Sequence, residues 1–109
     1  MATLSASESS ITTDDWLKNP HAGDVLAEDF LKPLGMSQTA LARAIEVPPR
    51  RINEIVLGKR AVTANTDLRL ARYFGMSEGF FLGLQMQFEL MNERRLLEPV
   101  LGRITPRKG

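Results

Sequence analysis

M-S-Q-T-A-L-A-R-A-I-E-V-P-P-R-R-I-N-E-I-V-L-G-K-R, residues 36–60, holds two short helical patterns separated by Val47-Pro48-Pro49. Ser37 is placed as an N-cap, with a side-chain oxygen that can accept a free backbone N–H of the first turn. Leu41, Ala42 and Ile45 recur at helical spacing and make one apolar face. Pro49 suits the first position of the second helix, where its missing N–H is no loss. Ile52, Ile55 and Val56 fall at i, i+3 and i+4 and face inward. At roughly 100° per residue, Arg50, Glu54 and Leu57 then point away from that face, with Arg51 and Asn53 flanking them. Gly58 stands where a C-terminal cap is expected, and Lys59-Arg60 follow it. Helix, short turn, then a helix with a basic polar outer face is the layout of a helix-turn-helix DNA reader.

The charge distribution supports that layout. A net charge of +1 over 109 residues divides into −4 for residues 1–35, +4 for residues 36–75 and +1 for the remainder. A basic middle beside an acidic front places a nucleic-acid face apart from some other surface. Hydrophobic content of 43% and charged content of 25% are ordinary for one soluble domain. There is no cysteine, hence no disulfide framework. No apolar run approaches the roughly 20 residues of a membrane span, and residues 1–20 lack the basic start and apolar core of a signal peptide. The expected location is the cytoplasm, with no membrane partner.

Outward from the motif, the sequence divides into an N-terminal arm (1–20), a helix-turn-helix DNA-binding and dimerisation domain (21–97) and a flexible basic tail (98–109). A first helix is expected from about His21 to Leu34, with Val25, Leu26, Phe30 and Leu34 inward and Gly35 ending it. Pro33 implies distortion of its last turn. Thr63 caps a helix ending at Phe74, with Leu70, Ala71 and Phe74 inward and Gly75 at its end. Ser77 is expected to cap a fifth helix that stops before Pro99. Along it Phe81, Leu84, Phe88 and Met91 are spaced 3, 4 and 3, a seam suited to helix packing and the candidate dimer interface. The fold class expected is all-α, with five helices.

Few residues offer catalysis. His21 is the only histidine and sits at a helix start, and neither a metal-ligand spacing nor a glycine-rich phosphate loop is present. No enzyme, cofactor or metal is expected. Nucleic-acid binding has a full set of parts instead. Arg50 can offer two donors to guanine and Asn53 can pair with adenine, while Glu54 can accept from cytosine N4 or hold an arginine in place. Ser37 and Gln38 are placed to meet phosphate at a helix start, and Lys59, Arg60 and Arg43 to supply the salt-dependent backbone term.

The segments H-A-G-D-V-L-A-E-D-F-L-K-P-L-G-M-S-Q, I-N-E-I-V-L-G-K-R-A-V-T-A-N-T-D-L-R-L-A-R-Y-F-G-M-S and F-F-L-G-L-Q together resemble the HigA family of antitoxins, within the Xre/Cro (lambda-repressor-like) helix-turn-helix group. The resemblance spans about residues 21–91. It implies a dimer that binds its own operator and represses the shared operon, and a partner toxin of the RelE/HigB-like, mRNA-cleaving kind that the antitoxin neutralises. It also implies base readout from Pro49–Leu57, so from Arg50, Arg51, Asn53 and Glu54. H-A-G replaces the family's usual H-P-G start, and Pro48-Pro49 replaces polar residues often found there, which shifts base reading toward Arg50 and beyond. For toxin contact, the acidic Asp14 and Asp15 beside Trp16 are the candidates, since RNA-cutting toxins need basic surfaces. A stand-alone repressor without a toxin, and an interaction module without DNA binding, remain as alternatives.

Overall fold

The structure, a computed structural model, describes residues 21–108. Among the described residues there are five helices and no strand. The first, α1, is one continuous run of three segments: α-helical over Ala22–Val25, π-helical over Leu26–Leu31 and α-helical over Lys32–Leu34. It is followed by α2 (Gln38–Ile45), α3 (Pro49–Val56), α4 (Ala64–Phe74) and α5 (Phe80–Leu101). No helix among them is long and apolar enough to cross a membrane.

His21 starts α1 with a reciprocal cap. Gly23 N–H donates to His21 Nδ1 at 2.9 Å, and His21 N–H donates to Asp24 Oδ2 at 3.2 Å. The distortion expected in the last turn lies further upstream, in the π segment, where Lys32 N–H reaches back five residues to the Ala27 carbonyl. The Pro33 ring crowds the carbonyl four residues before it, and a wider preceding turn relieves that crowding. The extra residue per turn also rotates the apolar face. Leu31 is buried at 5% exposure, whereas Leu34, expected inside, is 62% exposed.

The caps at Ser37 and Thr63 form as the sequence predicts. Ala40 N–H donates to Ser37 Oγ at 3.0 Å, and Thr66 N–H to Thr63 Oγ1 at 3.4 Å. Glu46 ends α2 in the left-handed region at φ 61°, with Arg69 of α4 donating to the Ile45 and Glu46 carbonyls at 2.8 and 3.2 Å. The core beneath consists of Leu26, Leu41, Ile52, Ile55, Leu70 and Phe81, all almost completely removed from water. Side chains of this size each contribute about 1.5–3 kcal/mol on burial. Phe30 closes one side, its ring 4.8 Å from Phe74 and 5.3 Å from Phe81.

Two expectations for α5 are corrected. Ser77 does not cap it: the N-cap is Gly79, at φ 93°, and α5 begins at Phe80. Nor does Pro99 stop it, since the helix runs past 97 to Leu101 and Gly102 N–H still donates to the Glu98 carbonyl at 3.0 Å. Proline withdraws one intrahelical bond, but residues 93–101 are solvent-exposed, where the freed carbonyl is open to hydration. Irregular chain begins only after this helix.

Candidate nucleic-acid interface

Pro48 is extended and Pro49 opens α3 at its first turn, so the chain enters this helix with two fixed φ angles. Ile52 and Ile55 anchor its inner face against the core, which turns Arg50 and Asn53 to solvent. Arg50 is 84% exposed along its side chain. One turn on, Glu54 Oε2 accepts from Arg50 Nε at 3.0 Å, while Glu54 Oε1 accepts from Arg60 Nε at 2.9 Å. The Arg60 guanidinium first, then that of Arg50, hold the Glu54 carboxyl below the usual carboxylate range. This pairing is fully present above the ordinary value of 4.5 and is lost as pH falls through the depressed one.

Asn53 is tied to the first helix of the motif, donating from Nδ2 to Gln38 Oε1 at 3.3 Å. That bond links α2 to α3 at the surface, above their packing through Leu41, Ala42 and Ile52, and leaves the Asn53 oxygen and a second amide hydrogen available. Arg51 turns the other way and donates to Asn65 Oδ1 of α4 at 3.4 Å, sharing that oxygen with Arg69 Nε at 2.9 Å. The four residues expected to read bases therefore form two groups. Arg50, Asn53 and Glu54 share an outer face, and Arg51 lies at its flank. Ser37, Arg43 and Lys59 are exposed, with Ser37 Oγ engaged in the helix cap. Leu57, at 56% exposed, extends the outer face as an apolar patch to which no role was given from the sequence.

The far end of α3 is held by α1. Gly23 packs so closely that a Cβ there would overlap the Ile55 carbonyl. Gly58 follows at φ +77°, and a Cβ on it would stand 2.9 Å from His21 Nε2. The helix that carries the candidate reading face is thus located at its start by α2 and at its end by the capped turn of α1. Among the described residues, no group of three His, Cys, Asp or Glu gathers to hold a metal.

On α5 the seam of Phe81, Leu84, Phe88 and Met91 begins inside the monomer. Phe81 is fully buried, Leu84 packs against the core, and the Phe88 ring meets the His21 edge at 5.7 Å. Phe81 is therefore not available to a second copy, and Met91 is half-buried. A different stripe, Met86, Leu90, Leu97 and Leu101, is exposed by 55%, 52%, 40% and 46%. At roughly 100° per residue it lies about 150° around the helix from the seam. Asp14, Asp15 and Trp16 fall outside the described residues.

Residues 28–81 match the HTH_3 helix-turn-helix family. Virulence-associated protein I of Dichelobacter nodosus is 50% identical over 70 residues, which cover 64% of this chain and 65% of the relative. The chain thus spans slightly less than two thirds of that protein's length. Antitoxin HigA-1 of Vibrio cholerae is 31% identical over 72 residues, covering 66% of this chain and 68% of the relative. The solved structure of Pseudomonas aeruginosa antitoxin HigA with the higBA promoter superposes with a TM-score of 0.75 at 32% identity. That superposition covers 83% of this chain and 99% of the other.

Proposed function

The chain belongs to the HigA-like helix-turn-helix family of antitoxins and transcriptional regulators, and from that premise we propose that it represses its own operon and neutralises a RelE-like, mRNA-cleaving toxin. The observation that carries the DNA half is the α3 face, where Arg50 and Asn53 project from a helix anchored by Ile52 and Ile55. Arg50 is the guanine reader and Asn53 the adenine reader. Leu57 contacts a thymine methyl, the apolar element of the same code. Ser37, Gln38, Arg43, Lys59 and Arg60 meet phosphates and supply the salt-dependent term. The P. aeruginosa antitoxin HigA solved with its promoter supports this use of the fold.

The functional unit is a homodimer. The stripe Met86, Leu90, Leu97 and Leu101 on α5, exposed among the described residues, supplies the surface in place of a seam already partly buried within the monomer. Pairing through it would set two copies of α3 about one helical turn of DNA apart, roughly 34 Å. The toxin reading rests on family membership and on the acidic N-terminal third of the chain, which complements a basic RNA-cutting partner. It is tested by co-expression with any small basic protein encoded beside this gene. Growth rescue with co-purification supports the antitoxin assignment. A harmless neighbour that never co-purifies removes it and leaves a stand-alone repressor with the same DNA face.

A further inference from the structure

We infer that Glu54 is a positioning residue for Arg50 and not a reader of bases. The inference rests on the assignment of α3 as the DNA-reading helix and concerns how that helix discriminates. Both carboxylate oxygens are engaged, Oε2 by Arg50 Nε at 3.0 Å and Oε1 by Arg60 Nε at 2.9 Å. The Glu54 side chain is only 22% exposed, beneath an Arg50 that is 84% exposed. An approaching base edge therefore meets the guanidinium before it meets the carboxylate.

The atom used matters. Glu54 takes the Nε of Arg50, and among the described residues no bond engages Nη1 or Nη2. That terminal pair is a fork that matches guanine O6 and N7. A free arginine on an exposed helix samples many rotamers, and fixing it on binding opposes association. Bonded at Nε, the side chain is already restricted when DNA arrives. Two cations on one anion also leave the cluster with an excess positive charge, so the carboxylate can stand near phosphates without making the cluster repulsive.

Glu54 acts on the other side as well. Its backbone carbonyl accepts from Lys59 N–H at 2.8 Å and Arg60 N–H at 3.2 Å. One residue therefore fixes the base-reading arginine and the turn that carries two candidate phosphate contacts in a single register.

The test is a double-mutant cycle in the full-length chain with wild type, Arg50→Ala, Glu54→Ala and the double variant. The probes are a duplex selected by wild type from a randomised library, its three variants at the guanine lost in Arg50→Ala, and a scrambled duplex. The expected result is a guanine preference about tenfold weaker in Glu54→Ala, at the same base pair that Arg50→Ala affects. The double variant should lose no more guanine preference than Arg50→Ala alone, and Glu54→Ala should bind scrambled DNA at least as tightly as wild type, since a negative charge beside the phosphates is removed. Glu54→Gln, which keeps one acceptor oxygen, should fall between. A changed preference at a different base pair, or losses that multiply, would overturn the inference in favour of direct reading by Glu54. Equal weakening on every duplex with a lowered Tm would overturn it in favour of a purely structural role. If Arg50→Ala keeps full selectivity, the readout assignment itself fails, and that outcome is visible before the cycle is closed.

Discussion

Asp67 Oδ1, in the first turn of α4, accepts the backbone N–H of Phe81 in the first turn of α5 at 2.8 Å. The same oxygen accepts from Leu82 N–H at 2.9 Å, and Oδ2 accepts from Gly79 N–H at 2.6 Å. Asp67 is 1% exposed, so a buried charge is stabilised by the free donors of a helix start. This contact docks α5 on the domain in the absence of any side-chain cap from its own N-cap residue.

Replacing Asp67 with Ala would leave buried N–H groups without a partner. The expected loss is about 2–4 kcal/mol of folding stability. Asp67→Asn, with one acceptor oxygen, should lose less. Urea denaturation checks the order, and DNA affinity of the folded fraction should stay near wild type.

Gly23→Ala is expected to destabilise by about 3 kcal/mol, because its Cβ would meet the Ile55 carbonyl, a backbone atom that cannot rotate aside. The strain falls on the end of α3. Operator binding should weaken more than the fraction folded alone predicts, which gel shift and circular dichroism on the same samples would separate.

Glu46→Gly is expected to stabilise by about 0.5–1 kcal/mol, since Glu46 holds φ 61° without the freedom of glycine. The Arg69 bonds to the Ile45 and Glu46 carbonyls involve only backbone acceptors and survive the change. Thermal unfolding measures the gain, and an unchanged or lowered Tm would contradict it.

Met86→Asp with Leu90→Asp should give a folded monomer if the exposed α5 stripe joins two copies. Sedimentation should show half the wild-type mass, and operator affinity should fall by about 100-fold or more as the second half-site contact is lost. A dimer that persists would move the contact elsewhere.

These residues also mark what was legible in the sequence. The caps at Ser37 and Thr63 were readable because each acts on a residue three positions away. The inward set of α3 was readable because Ile52 and Ile55 obey a local period. Asp67 was not, since its partners lie 12 to 15 residues on and nothing in its neighbourhood announces them. Ser77 looked like a cap for the same reason, a local signal displaced by a distant one. The π segment of α1 follows from crowding near Pro33, but its position, and with it the exchange of Leu34 for Leu31, depends on packing. In the candidate site, sequence turned Arg50, Glu54 and Leu57 outward with Arg51 and Asn53 as flanks. It could not divide their labour, because that depends on Glu54 bonding Arg60 across the turn and Asn53 bonding Gln38 across the motif.

The most direct test of the account is selection of duplex DNA from a randomised library by the full-length chain and by Arg50→Ala. Wild type is predicted to enrich an inverted repeat with half-site centres about one helical turn apart and a fixed guanine in each half. Arg50→Ala should lose that guanine while keeping the rest of the pattern. Failure of wild type to enrich any sequence, or an identical pattern from Arg50→Ala, would contradict the assignment of α3 as the reading helix.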